Sequence, residues 1–415
     1  MIDTTPQVQR TGALCGSRRN SDAVESIGYK FCLFFFVFPI FSPALGGTVV
    51  YPFVLYGFYL FFRTRWTRNN LLLLFVSFEL GLAYCLVDMA GAIRLIAFVF
   101  GCYFVRHTLL DKSRSDLMMR YATWHAVIVL IQFLLVLVDV PIDFSQIVGS
   151  IYGGLLPPTG INIDYNAFSQ FDLFLPRVAG LNREPAFACI LFLGLLSVAL
   201  SKRRLALTAL MVLAVFCTLS KIAFPLVLAL LITCLPWGKE RPRRFIGFAG
   251  KLLVFALINV GLLISVKSNV ELIETAMLLD ASFYHRFIGL HTISEEFSAF
   301  SVIGNSRDVV SAAPIFADYE FRDEKRAFLD GNVIAKLLVD FGYIAAALYW
   351  LAVGLIAASV PAAAALAIAG VFTNILSLAP ATVLLFVLLC GFAKPATKVS
   401  FRQTIERCAS RLSHG

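Results

Sequence analysis

The sequence contains little charge for its length. Asp, Glu, Lys and Arg make up 15% of the 415 residues, whereas hydrophobic residues make up 59%. A soluble domain carries about a quarter charged residues, so this composition excludes an ordinary soluble protein. The mean hydropathy of +0.82 is typical of a chain of closely spaced membrane helices.

Several motifs of metal and nucleotide chemistry are also absent. No Asp-x-Asp pair occurs, and neither a Walker A nor a GxGxxG motif is present. The nearest carboxylate pair on the outer side, Asp318-Tyr-Glu320, lies in a solvated charge run. The nine cysteines form no CxxC and no Cys/His metal spacing. We therefore expect no metal ion, no cofactor and no disulfide framework.

Twelve apolar segments predict an all-α fold, a polytopic transmembrane helical bundle with about 12 spans. They lie near residues 30–45, 47–62, 70–87, 90–105, 121–140, 185–200, 205–220, 221–236, 245–266, 332–357, 361–377 and 379–393. Several are shorter than the ~20 residues that a perpendicular helix needs, so their ends are approximate.

Short basic clusters lie between these segments and fall on one side if twelve spans are drawn. The clusters are Arg63, Arg65 and Arg68; Arg106, Lys112, Arg114 and Arg120; Lys202, Arg203 and Arg204; and Lys239, Arg241, Arg243 and Arg244, with more in both tails. Basic loops stay in the cytoplasm, so we expect both termini there. The order is then a tail (1–29), spans 1–5 (30–140), an outer loop (141–184), spans 6–9 (185–266), a larger outer loop (267–330), spans 10–12 (331–393) and a tail (394–415).

The net charge of +9 does not indicate nucleic acid, because the basic residues follow this orientation pattern and form no single face. The large outer loop is acidic and contains an amphipathic run, Phe283, Phe287, Leu290, Ile293 and Phe297, at helical spacing. We expect that run to lie along the membrane surface or to pack onto the spans.

The most informative stretch joins the first outer loop to the sixth span. Arg177, Arg183 and Glu184 lie within it, and Pro185 opens the span. An ionised side chain at membrane depth is costly unless it has a partner or a wet cavity. The stretch therefore predicts a site for negative charge at the outer surface. Lys221 and Arg286 are predicted at the same depth.

Two outer-side histidines, His285 and His291, have the chemistry of a general base near neutral pH. A surface histidine is more often simply a polar residue, and that alternative stays open for both. The other three histidines, His107, His125 and His414, are predicted on the inner side.

Four motifs follow one another between residues 175 and 357. They are Arg177-x-x-Gly180 with Glu184-Pro185; Leu219-Ser220-Lys221; Ser282-x-x-x-Arg286 followed by Val302-Ile303-Gly304; and Asn332 through Gly342-Tyr343. In this order they resemble the O-antigen polymerase and O-antigen ligase family of bacterial membrane glycosyltransferases, with Lys221 where that family has Arg. The first five spans resemble those of the family only as apolar segments, because the four motifs all lie after them.

The resemblance implies a metal-independent enzyme of the bacterial inner membrane that polymerises undecaprenyl-diphosphate-linked repeat units on the periplasmic face. Its partners are then the lipid-linked glycan and the bilayer, with a chain-length regulator and a flippase in the same pathway, and no nucleic acid. Catalysis is assigned to Glu184, Arg177 and Arg286, and substrate binding to Arg183, Lys221, Lys336 and His285. The residue types suit this role, because arginine binds phosphate bidentately and fixed cations stabilise a departing diphosphate.

Other interpretations stay open. The arginines could anchor the protein to lipid headgroups, Arg286 could form a structural salt bridge, and Lys336 could pair with Asp340 four residues on. A ligase of the same family would carry His beside Asn at the start of the helix after the large loop, where this chain has Gly331-Asn332. A flippase or other transporter would commonly show related halves and broken helices near mid-membrane, and the sequence shows neither clearly.

Overall fold

The computed structural model describes residues 12–45, 48–63, 89–152, 162–164, 175–234, 244–279, 281–295, 298, 300–303 and 332–391. Within these residues the protein is mostly helical, as expected. Its helices are α1 (Gly12–Val37), α2 (Pro52–Arg63), α3 (Met89–Leu110), α4 (Lys112–Leu137), α5 (Phe144–Tyr152), α6 (Pro185–Ser201), α7 (Leu205–Thr218), α8 (Ala223–Cys234), α9 (Arg244–Ser268), α10 (Val270–Leu279), α11 (Ala281–Glu295), α12 (Val333–Ile356), α13 (Val360–Phe372) and α14 (Pro380–Leu389).

Four short strands form two antiparallel pairs. Strand β1 (Ala44–Leu45) pairs with β2 (Thr48–Val49), and β3 (Ile163–Asp164) pairs with β4 (Arg177–Val178). A 3₁₀ turn, Pro39–Phe41, follows α1. These elements lie in the connections between helices.

Among the residues that the structure describes, four helix segments are long and apolar enough to cross a membrane, which indicates a membrane protein. They are Ile93–Leu110, Lys112–Leu137, Gly247–Ser268 and Val333–Ile356. Helices also occupy all or part of the other expected spans within the described residues, but several of them are short. The third expected span, 70–87, lies outside the described residues.

Three helices form the centre of the bundle. Helices α6, α13 and α14 are buried on nearly all sides, and α6 packs against both α7 and α14. Five of the thirteen residues of α13 are buried alanines. Small side chains let helix backbones approach closely. In lipid the hydrophobic effect does not drive helices together, so close van der Waals packing of this kind stabilises their association. The Ala-rich segment is therefore the contact surface of α8 and α9.

The surrounding helices expose large apolar side chains. Leu253, Leu257, Val260 and Ile264 are all more than half exposed along one face of α9. They recur at helical spacing, so the exposed stripe is continuous. Apolar side chains therefore cover both the buried and the exposed faces of this helix, which is typical of a helix that faces lipid.

Ion pairs define one end of the bundle, which we call the basic end. Glu25 pairs with Arg63 and, at 3.5 Å, with Arg114. Asp116 binds Lys202 at 2.7 Å, which ties α4 to the turn after α6. Arg63, Arg114 and Lys202, which come from three of the basic clusters, therefore lie at one end. The opposite end, which we call the loop end, carries the 3₁₀ turn and residues 175–184.

Helix α4 begins earlier than the span predicted from residue 121. Asp111 caps it by accepting a hydrogen bond from Arg114 N at 3.1 Å. Residues 112–120, expected to form part of a basic loop, are helical instead. His125 consequently lies near the middle of the helix. Helix α1 likewise begins at Gly12, within the segment expected to be a tail, and no proline interrupts it before Pro39.

The amphipathic run of the large loop forms α11, as its spacing predicts, except that Phe297 lies outside the described residues. Leu290 and Ile293 are buried, and the rings of Phe283 and Phe287 stack at 4.1 Å. Helix α11 packs against α9, α10 and α12. It therefore docks onto the bundle.

Helix α12 is broken at Gly342, which the sequence did not indicate. The glycine has φ 82° and ψ −172°, inside an otherwise helical segment. Ser301 O accepts from Tyr343 N at 3.1 Å, and Val302 O accepts from Ile344 N at 3.2 Å. The chain that follows α11 thus satisfies the amides freed by the break. Two of the motifs identified in the sequence meet here.

Candidate functional site

The site loop, residues 177–184, leads directly into α6. Glu184 is extended at the N-cap and Pro185 occupies the first helical turn, where its missing N–H costs no hydrogen bond. The carboxylate of Glu184 makes no capping hydrogen bond to α6. The Glu184 side chain therefore does not cap the helix, although it occupies the N-cap position.

This loop is buried, although the sequence predicted an outer surface loop. Ala179 is fully buried, Asn182 is 2% exposed and Leu181 is 9% exposed. Ile40 N donates to Leu181 O at 3.2 Å, which joins the loop to the 3₁₀ turn after α1. The loop therefore enters the bundle between helices.

Gly180 makes the tight turn of the loop possible. Its φ is +61°, a region that glycine adopts without steric cost. A Cβ at this position would lie 2.3 Å from Val129 Cγ2 of α4. The Arg177-x-x-Gly180 motif thus places a glycine where the loop backbone touches a helix.

His125 contacts this loop, which lies at the loop end of the bundle. The prediction that His125 lies on the inner side, with the basic clusters, was therefore wrong. Its Nε2 accepts from Leu181 N at 3.1 Å, and its Nδ1 lies 2.8 Å from Val37 O. The error arose because the predicted span began at residue 121, which placed His125 in its first turn. Helix α4 begins at Lys112.

The two arginines of the loop are held in different ways. Arg177 Nη1 lies 3.2 Å from Asp164 Oδ2, across the paired strands β3 and β4. Arg183 Nη2 donates to the backbone oxygen of Ser42 at 2.9 Å. In both, the Nε atom is buried without a hydrogen-bond partner among the described residues. Each guanidinium group therefore keeps unused donor capacity.

Glu184 lies within the electrostatic reach of both arginines. Burial raises the pKa of its carboxyl above the ordinary range, while the charges of Arg177 and Arg183 oppose that shift. Burial also lowers the pKa of Arg183, against the influence of Tyr51 and Glu184. Partly desolvated charges interact more strongly than solvated ones. A carboxyl with a raised pKa beside cations is a candidate for proton transfer.

Two arginines from distant segments act on one thiol near the start of α6. The charges of Arg177 and Arg286 both influence Cys189. Ser220 lies beside the same thiol, although its Oγ makes no well-directed hydrogen bond. Lys221 follows Ser220 in the turn between α7 and α8. Arg177 of the loop, Ser220 of this turn and Arg286 of α11 therefore all lie within range of an interaction with Cys189.

Lys336 and His291 each lie close to a carboxylate outside this group. Lys336 forms an ion pair with Asp340 at 3.4 Å, the alternative that the sequence had left open. His285 lies on α11, and its side chain is outside what the structure describes. His291 is 2% exposed, with Nε2 3.2 Å from Glu274 Oε1. Lys221 and Arg286 are both half-buried.

Orphaned polar atoms accumulate beside the loop. Ser42 Oγ and Asn182 Nδ2 are buried without hydrogen-bond partners in the described part of the chain, as are the Nε atoms of Arg177 and Arg183. Buried polar groups are nearly always paired. Donors without partners beside fixed positive charge are suited to binding an oxygen-rich anionic ligand. Among the described residues no cluster of three or more His, Cys, Asp or Glu has the arrangement of a metal site. The Asp318/Glu320 pair lies outside them.

Comparison of the chain with protein-family models, curated proteins and solved structures finds no significant match. The motifs of the sequence and the geometry of the loop are the features of this chain that bear on its function. Sequence reasoning found Arg177, Arg183 and Glu184 but missed Ser42 and Cys189. An isolated serine or cysteine in an apolar segment carries no signal of its own.

Proposed function

We propose that this protein is a bacterial inner-membrane glycosyltransferase. It polymerises undecaprenyl-diphosphate-linked oligosaccharide repeat units into a surface polysaccharide. In this proposal the chain crosses the membrane about twelve times, with the basic end and both termini in the cytoplasm. The loop end faces the periplasm. The observation that carries the proposal is the partly buried Glu184 carboxyl, which lies within electrostatic reach of two arginines whose Nε atoms have no partner among the described residues.

The chemistry is a substitution at the anomeric carbon of the donor glycan. A hydroxyl of the acceptor glycan attacks that carbon, and the bond from carbon to the diphosphate oxygen breaks. The bonding electrons leave with undecaprenyl diphosphate, and the hydroxyl proton passes to the Glu184 carboxylate. Negative charge grows on the diphosphate as the bond breaks, so cations fixed in advance stabilise the transition state more than the ground state.

Arginine placement supports a division of roles. Arg177 and Arg286 both lie within electrostatic range of Cys189, so their positive charges are near the same part of α6. We assign diphosphate and glycan binding to these two residues together with Arg183 and Lys221. Lys336 is already paired with Asp340, so its part in binding is secondary.

Two observations bear on the alternatives. The residue before Asn332 is Gly331, whereas the ligases of the resembling family carry His beside that Asn. This difference favours polymerisation over ligation. A transporter would use a broken helix to bind its cargo, but the amides freed at Gly342 are occupied by Ser301 and Val302 carbonyl groups.

The proposal is tested with purified protein in liposomes that contain lipid-linked repeat units, with the products resolved by size. We expect a ladder of glycans that persists in excess chelator, since no Asp-x-Asp pair is present to hold a divalent ion. A single transfer to another acceptor would indicate a ligase. The absence of any new glycosidic bond would contradict the enzyme proposal, and loss of the ladder in chelator with recovery in Mg²⁺ would contradict the metal-free mechanism.

The raised pKa of Glu184 predicts a pH dependence. If Glu184 accepts the hydroxyl proton, the elongation rate falls as pH drops through a pKa above the ordinary value of 4.5. Glu184→Gln should lower the rate about 10²- to 10⁴-fold, the usual size of general-base catalysis, and remove this acidic limb from the residual rate. Rates measured between about pH 4.5 and pH 8 test this. An unchanged limb in Glu184→Gln would assign it to another group.

The same pKa shift has a defined effect on stability. The folded state binds the Glu184 proton more tightly than the unfolded chain does, because burial raises the pKa. The resulting stabilisation is complete below the unfolded pKa and is lost as pH rises through the folded pKa. The midpoint of thermal unfolding of wild type should therefore fall relative to that of Glu184→Gln as the pH rises through that window.

A further inference from the structure

Three buried polar side chains outside the proposed cationic site converge on its loop. His125 and Gln132 lie on α4, and Asn162 lies just before β3. All three are at most 1% exposed. Polar side chains buried this deeply are costly unless each of their hydrogen bonds is made. These side chains form hydrogen bonds with residues 179–184, with one another, and with the elements that surround this loop.

Asn162 is the centre of this network. Its Nδ2 donates to Gly180 O at 3.0 Å and to Asn182 O at 2.9 Å. Its Oδ1 accepts from Gln132 Nε2 at 2.7 Å and from Phe144 N at 3.3 Å. The amide therefore uses both donor hydrogens and both acceptor sites. One side chain bridges the two backbone oxygens that flank Leu181.

Helix α4 binds the amide groups of the same turn. Gln132 Oε1 accepts from Gly180 N at 2.8 Å, and Gln132 Nε2 also donates to Ile142 O at 2.7 Å. His125 Nε2 accepts from Leu181 N, so its Nδ1 carries the proton and donates to Val37 O. The imidazole is therefore neutral. It links α1 to the turn through two separate hydrogen bonds.

We infer that Asn162, Gln132 and His125 are positioning residues that fix the backbone of residues 179–184. They thereby hold Arg183 and Glu184 in the geometry that the glycosyl transfer proposed above requires. Backbone groups on both sides of the turn are held, so the loop cannot rotate without breaking several bonds at once. Charges that are fixed before the reaction need no reorganisation during it, and a displacement of about 1 Å can cost about 100-fold in rate.

A matched pair of substitutions at His125 separates positioning of the loop from anchoring of α1. His125→Gln places an amide group near the original Nε2 and retains an acceptor for Leu181 N. His125→Asn places its amide nitrogen near the original Nδ1 and retains a donor for Val37 O, but it loses the bond to the loop. A role confined to helix packing would affect the two variants alike or favour His125→Asn.

The readout is hydrogen–deuterium exchange of the peptide that covers residues 179–184, measured on the full-length protein in nanodiscs. In His125→Asn we expect exchange at Gly180 and Leu181 to rise about 10-fold or more. In the same variant we expect kcat for elongation to fall about 10- to 100-fold, with KM changed less than about threefold. His125→Gln should remain close to wild type in both measurements. Equal exchange in the two variants would overturn the inference.

Asn162→Asp provides a second test if a His125 variant fails to fold. This isosteric change keeps both acceptor sites but removes both donors to Gly180 O and Asn182 O. It should accelerate loop exchange at least as much as His125→Asn, and wild-type exchange rates in this variant would contradict the positioning role. Failure of the proposed function is separable, because wild type would then make no ladder whereas the exchange contrast would persist.

Discussion

Replacing Arg177 or Arg183 by alanine is expected to lower the rate of glycan elongation about 100- to 1000-fold, the usual effect of removing one preorganised donor from an anionic transition state. The charges of both side chains act on the partly buried Glu184 carboxyl, and both have a buried Nε atom without a partner among the described residues. Neither change removes a large apolar contact. We therefore expect the variants to fold and to insert into the membrane.

Lysine at either position should restore only part of the activity. It keeps the charge but loses the planar fork that binds phosphate through two parallel hydrogen bonds. Arg120→Ala is the matched control, because Arg120 is an exposed arginine in the first half of α4. The measurement is the initial rate of ladder formation by folded protein. Full activity in both Arg177→Ala and Arg183→Ala would place the active site elsewhere.

Local sequence patterns predicted the helical character of the chain and the positions of several helices. Long apolar runs marked their positions, and the Glu184-Pro185 step marked the start of α6, because proline suits the first turn of a helix. The spacing from Phe283 to Ile293 predicted α11. In each case the signal and the structure that it specifies lie in the same stretch of chain. The ends were less accurate, since basic residues continue α4 back to Lys112.

The burial of the site loop could not be predicted in this way. It depends on hydrogen bonds between Leu181 and His125, and between Gly180 and Gln132, which are 56 and 48 residues apart in the chain. A single histidine or glutamine in an apolar helix does not reveal its partner. The sequence identified the charged residues of the candidate site. It did not identify the polar residues that hold them.

The break in α12 was missed for a similar reason. Gly342 lies in an apolar run without proline, and glycine is common inside membrane helices. What breaks the helix is the approach of Ser301 and Val302, whose carbonyl groups accept from Tyr343 N and Ile344 N. The signal therefore lies 41 residues away, in the chain after α11. The break couples the large loop to the bundle.

Gly342→Ala is expected to destabilise the protein by about 3 kcal/mol or more, because two separate costs combine. The conformation at φ 82° and ψ −172° is essentially restricted to glycine. An added Cβ would also lie 2.5 Å from Ser301 O and 2.8 Å from Val302 O, which are backbone atoms that cannot rotate away. Relief of this clash requires the loop to separate from α12.

Thermal unfolding and hydrogen–deuterium exchange at Tyr343 and Ile344 measure this effect. The midpoint of unfolding should fall by several degrees, and both amides should exchange faster because their acceptors have moved. Gly261→Ala is the control, since no atom lies within 4 Å of a Cβ built at this helical glycine of α9. That change should be neutral or slightly stabilising, as alanine favours a helix by up to about 1 kcal/mol. If Gly342→Ala instead unfolded and exchanged like wild type, α12 would be continuous through residue 342. The large loop would then not be tied to the bundle at this point.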